Sequence, residues 1–164
     1  MKTLLLIRHA KSSWDDLTLS DFERPLNDRG KRDAPMMAKR LTDKKIPIDS
    51  LVSSPAKRAK RTAAFFAKEF GIDESDIVFK TELYAAPKDI FYEIVEKLDN
   101  KSNNVALFSH NPGITEFANS LTNTRADDMP TCAIFAIKID AKKWTDFADS
   151  KKEFWFFDYP KHIE

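Results

Sequence analysis

The sequence predicts an α/β fold, a three-layer sandwich in which helices flank a largely parallel central sheet. Two observations carry that prediction. Short aliphatic runs alternate with helical patterns along the chain, and strands joined through helices lie parallel, with both faces of their sheet covered. The second observation is length: 164 residues is about one domain's worth and enough for a core without disulfides or metals. A single domain over residues 1–164 is therefore expected.

Strands are expected at residues 3–7, 50–53, 77–81, 105–109 and 133–139, with "FWFF" near the C-terminus a further candidate. The helices fall between them. Ala34, Met37, Ala38 and Leu41 recur at helical spacing after a cap at Asn27, and Pro35 should kink that helix or delay its start. Ser54 and Pro55 read as the N-cap and first residue of a helix through Ala59, Ala63, Phe66 and Phe70 to Gly71. Residues 88–98 and 112–121 supply two more.

Composition narrows the function. Lys and Arg total 27 against 26 Asp and Glu, a formal net charge of +1, so no global field favours nucleic acid or an anionic membrane and any anion binding is local. Cys132 is the single cysteine; in the apolar stretch "CAIFAIKI" it reads as a small, soft hydrophobe, and without a partner it suits a reducing compartment. The run "MKTLLLI" meets Arg8 and His9 too soon for a signal peptide, and no stretch approaches a membrane span. A cytoplasmic location is expected. No repeat or low-complexity tract interrupts the chain. Only Gly30, Gly71 and Gly113 occur, which excludes a glycine-rich phosphate loop. Side chains and helix ends would have to hold any phosphate.

Ligands of such sheets bind beyond the carboxyl ends of the strands, and three strand ends carry polar residues there. The first strand runs out at Arg8 and His9, the second leads into "SSPAKRAKRTA" with Arg58 in the opening turns of its helix, and the fourth into "SHNPGI" with His110. His162 lies in the C-terminal tail. Singly, each has a structural reading: a satisfied histidine at a strand end, or an arginine on a solvated helix face. Together, two arginines and two histidines at one sheet edge make a cationic pocket suited to a phosphoryl group. A metal site of His9, His110 and Asp15 is disfavoured because two adjacent arginines repel a divalent cation. No GxSxG elbow supports a serine hydrolase.

These segments, "RHAKSSW", "DFERPLNDRG", "SSPAKRAKRTA" and "HNPG", resemble the histidine phosphatase superfamily, and in particular its short SixA-type phosphohistidine phosphatases. The resemblance covers about the first three quarters of the chain and implies a phosphoglycerate mutase-like fold. It implies His9 as the nucleophile, transiently phosphorylated on its ring, with Arg8, Arg58 and His110 binding the phosphoryl oxygens and no metal or other cofactor. The chemistry agrees, since His9 must be neutral to attack and the Arg8 cation disfavours its protonation. Ala10 stands where the family usually has glycine. The proton donor is open: Glu82 in "TELYAA" is the first candidate and Asp15 the second. The implied substrate is phosphohistidine in a protein, with a small phosphorylated metabolite as the alternative and a non-catalytic phosphate-binding module a further one; a monomer is expected. Arg24 either frames the pocket rim or serves as a buried ion-pair or turn residue.

Overall fold

Strand β1 (Lys2–Arg8) is aliphatic from Leu4 to Ile7 because both of its faces are covered. Leu4 and Leu6 enter one core with Val52, Val105 and Leu107, while Leu5 and Ile7 enter another with Leu51, Ala106 and Phe108. That alternation is the two-residue period of a strand. The computed structural model describes residues 1–162. In chain order β1 is followed by α1 (Asp28–Asp43), β2 (Ser50–Ser53), α2 (Lys57–Glu69), β3 (Val78–Phe79), α3 (Lys88–Glu96), β4 (Asn104–Ser109), α4 (Gly113–Asn119), β5 (Ile134–Ile139) and β6 (Lys152–Asp158).

The six strands form one sheet in the order β3-β2-β4-β1-β5-β6. β3, β2, β4 and β1 run parallel, and β5 and β6 are antiparallel additions. The expected α/β class with a largely parallel sheet is what forms. Helices α1 and α2 cover one face through Met37, Leu41, Ala63 and Phe66. Helices α3 and α4 cover the other through Phe91, Ile94, Ile114 and Phe117, joined by Trp144 and Phe147. Phe66 meets Phe108 edge-on at 5.2 Å, and Phe91 stacks on Phe117 at 5.0 Å. Truncating any of these to alanine costs about 3–5 kcal/mol.

Three expectations are corrected. α1 starts directly after Asn27, whose side chain accepts the Gly30 N–H, and continues through Pro35 without a delayed start. β3 shrinks to Val78–Phe79, because Ile77 closes a 3-10 turn onto Glu74 and Thr81 opens another. Ser54 does not cap α2: Ala56 is the N-cap, and the Ser54 hydroxyl, which accepts the Ala56 N–H, is drawn to His110. Among the described residues no helix is long and apolar enough to cross a membrane.

Candidate active site

Strand register builds the site. Arg8 pairs with Ser109 across β1 and β4, and the His9 N–H donates to the Ser109 carbonyl at 3.1 Å. The next residue on each strand is therefore a histidine, and the two rings lie 5.0 Å apart, tilted by 50°. β2 brings its end alongside, the Ser54 N–H donating to Phe108 O at 3.0 Å, and α2 then delivers Arg58 from its first turn. Cys132, at φ 62, shares its N–H between the carbonyls of Arg8 and His9, both at 3.0 Å, and so pins the end of β1 from the β5 side.

His9 is 6 % exposed. Its Nδ1 lies 2.7 Å from the Ala10 carbonyl, a partner that can only accept. The proton is thus on Nδ1, and Nε2 carries the free lone pair. Burial, helped by the nearby His110, Arg58 and Arg8, lowers the His9 pKa to about 3 against the support of the Ala10 carbonyl. Burial, with Arg58 and Arg8 assisting, lowers His110 to about 3 as well. Both rings are neutral at physiological pH.

Three buried side-chain atoms have no hydrogen-bond partner among the described residues: Arg8 Nε, Arg58 Nε and His110 Nδ1. Each such orphan costs about 1–3 kcal/mol, and here all belong to the residues that surround His9. The other atoms of these side chains are fixed. Arg8 Nη1 donates to Met129 O at 2.8 Å, and His110 Nε2 sits 2.7 Å from Ser54 Oγ. Arg58 grips Asp21 through Nη1 to its carbonyl at 2.7 Å and Nη2 to Oδ2 at 3.0 Å. The same carboxylate takes the Tyr84 hydroxyl at 2.6 Å and Arg24 Nε at 3.2 Å. Tyr84, then Arg58 and Arg24, hold Asp21 ionised down to about 2.

Ala10 is fully buried in the core with Leu5 and Ile7, its N–H bonded to Thr62 Oγ1. Its methyl thus packs into the core. Arg24 is a buried ion-pair residue: it binds Asp21 and Ser12 and carries the exposed Trp14 ring 3.5 Å from its guanidinium carbon. A groove of about 740 Å³ runs outward from Arg58 and His110 past Asp21, Tyr84, Pro87 and Glu116.

The structure brings Arg8, His9, Arg58 and His110 together as expected. It does not bring Glu82 to them. Glu82 is exposed on a 3-10 turn and lines a separate small groove with Lys80, Ile90 and Glu93, because Leu83 beside it turns into the core and Tyr84 takes the position at the site. Asp15 is likewise exposed and lines another groove, with Trp14 and Pro25. Among the described residues no three His, Cys, Asp or Glu side chains are grouped to hold a metal. The sequence reading gives Ser54 only the role of a helix cap and assigns none to Asp21 or Tyr84, although they lie in the "DFERPLNDRG" and "TELYAA" segments singled out for Arg24 and Glu82.

Known proteins resemble this chain in sequence and in fold. The model of the histidine phosphatase superfamily (branch 1) matches residues 4–84. An uncharacterised chloroplastic protein of Arabidopsis thaliana is 28% identical over 153 residues, covering 88% of this chain and 70% of the relative. The solved structure of the protein histidine phosphatase SixA complexed with tungstate has a TM-score of 0.82 at 22% identity, covering 96% of this chain and 97% of that one. A mycobacterial glucosyl-3-phosphoglycerate phosphatase has a TM-score of 0.67 at 13% identity, covering 94% and 97%. Both likenesses show a shared, phosphoglycerate mutase-like fold.

Proposed function

The chain belongs to the histidine phosphatase superfamily, and on that premise we propose that it removes the phosphoryl group from phosphohistidine in a protein through a phospho-His9 intermediate. The observation that carries the reading is the set of three orphaned donor atoms on Arg8, Arg58 and His110 around a histidine whose Nε2 is free. A phosphoryl group would satisfy all three at once.

Two guanidinium groups supply the positive charge that a metal supplies elsewhere. With the Ser54 hydroxyl donating to His110 Nε2, the His110 Nδ1–H is directed to a phosphoryl oxygen. His9 Nε2 attacks phosphorus, the bond to the leaving group breaks, and the electron pair departs with that group. Water then attacks phospho-His9; the P–Nε2 bond breaks, His9 recovers its neutral Nδ1–H form, and the water's protons stay on the released phosphate. The Ala10 carbonyl holds that Nδ1 proton throughout, so His9 leaves as neutral imidazole.

Substrate choice follows from the acid. An alkoxide leaving group needs a strong proton donor, whereas imidazole, with an ordinary pKa of about 6.5, leaves readily. Asp21 is held ionised, Glu82 and Asp15 line other grooves, and Glu116, the remaining carboxylate of this groove, is exposed to solvent. The groove beyond Arg58 is open enough for a protein-borne side chain. A small-molecule phosphomonoesterase is the second reading, favoured by the fold shared with the glucosyl-3-phosphoglycerate phosphatase. The test compares kcat/KM on a phosphohistidine protein with that on phosphorylated sugars and nucleotides. A preference of roughly 100-fold or more for the protein is expected; equal or faster hydrolysis of a small ester establishes the second reading instead.

A further inference from the structure

Within the groove that leaves Arg58 and His110, Glu116 is a carboxylate without an assignment. It lies in the first turn of α4, is exposed, and lines the groove together with Tyr84, Pro87 and Pro112. Among the described residues its carboxylate accepts no hydrogen bond and joins no ion pair. Asp21, the other groove carboxylate, is occupied by Arg24, Arg58 and Tyr84. Among the described residues Glu116 is thus the groove's free carboxylate, beside a cradle built for an anion. That placement weakens binding of a phosphate ester with an anionic or neutral body, and it suits a leaving group that is itself positive.

Phosphohistidine provides one. If the distal nitrogen of the substrate ring carries a proton, the P–N bond breaks with its electron pair moving to the ring, and neutral imidazole departs without any proton transfer. The same balance governs His9, whose distal Nδ1–H is held by the Ala10 carbonyl. The site would then exchange a phosphoryl group between two imidazoles, each needing an acceptor on its distal N–H.

Resting on the phosphohistidine reading, we infer that Glu116 accepts the distal N–H of the substrate histidine and so selects a cationic phosphoimidazole over phosphate esters. The distal nitrogen titrates near the ordinary imidazole range of about 6.5, and a carboxylate partner extends its protonated form to higher pH.

The experiment uses the full chain and Glu116→Gln, with an N-phosphohistidine peptide and p-nitrophenyl phosphate, whose nitrophenolate needs no proton. The ratio of kcat/KM on the peptide to that on the ester should fall about tenfold in the variant. The alkaline limb of the peptide's pH profile should also move to lower pH. An unaltered ratio and profile, or equal losses on both substrates, overturns the inference. A wild-type enzyme that cleaves the ester and leaves the peptide intact overturns the phosphohistidine reading itself, and this inference with it.

Discussion

Ser54 Oγ lies 2.7 Å from His110 Nε2, and the same oxygen accepts the Ala56 N–H at 3.2 Å. When the hydroxyl gives its proton to His110 Nε2, the ring's own proton sits on Nδ1 and is directed into the cradle. Ser54→Ala removes that selection. Catalytic rate should fall roughly fivefold, the worth of one hydrogen bond of about 1 kcal/mol, and the melting temperature should drop by several degrees, because the buried Ala56 N–H and His110 Nε2 lose their partner. An unaltered kcat would show that Ser54 does not set the tautomer.

Oxyanions should stabilise the fold. Three unsatisfied donors are a cost that phosphate or tungstate removes, and a ligand at 100 times its Kd adds about 2.7 kcal/mol. A thermal-shift titration should show a clear rise in melting temperature for the wild type and a much weaker one for Arg58→Ala. Equal affinity in the variant would place Arg58 outside the pocket.

The two histidines make stability depend on pH with a definite sign. In the unfolded chain each titrates near 6.5, and in the fold each is lowered to about 3. Between those values the unfolded state binds the protons, so the contribution is whole above about pH 6.5 and is lost as pH falls toward 3. Each histidine adds a slope of at most about 1.4 kcal/mol per pH unit. Denaturant unfolding across this window should be less pH-sensitive in His110→Gln than in the wild type; parallel curves would contradict the neutral buried ring.

Gly113 opens α4 directly behind His110. A Cβ there would meet the Ala86 carbonyl oxygen at 1.9 Å, and the His110 carbonyl is tied to α4 through the Ile114 N–H at 3.0 Å. Gly113→Ala must push the two segments apart, at about 1–3 kcal/mol, and carry His110 with them. Activity should drop by roughly a hundredfold while the variant still melts cooperatively. Near-normal activity would mean that the loop absorbs the methyl without moving His110.

Much of this was legible in the sequence, for identifiable reasons. β1 announces itself because a strand buried on both faces must be aliphatic, and the same topology that buries it aims Arg8, His9 and His110 at one edge. Arg58 was readable because "SSPAKRAKRTA" follows a strand. What escaped depends on chain return. Asp21 reaches Arg58 across 37 residues of sequence, and no local pattern encodes that pairing. Glu82 was misplaced by one step of the same kind: a strand was expected to run to residue 81, whereas a 3-10 turn buries Leu83 and turns Tyr84, not Glu82, toward His110. Ser54 has the residue type of a helix cap, but a hydroxyl beside an imidazole serves the ring instead.

The covalent intermediate is the centre of the account. Brief reaction with a 32P-labelled phosphohistidine protein, followed by denaturing quench, should leave acid-labile, alkali-stable label on the wild type that maps to His9. His9→Ala should carry no label and show no turnover while retaining the wild-type fold by circular dichroism. Turnover in that variant, or label at any other residue, would contradict the assignment of His9 as the nucleophile.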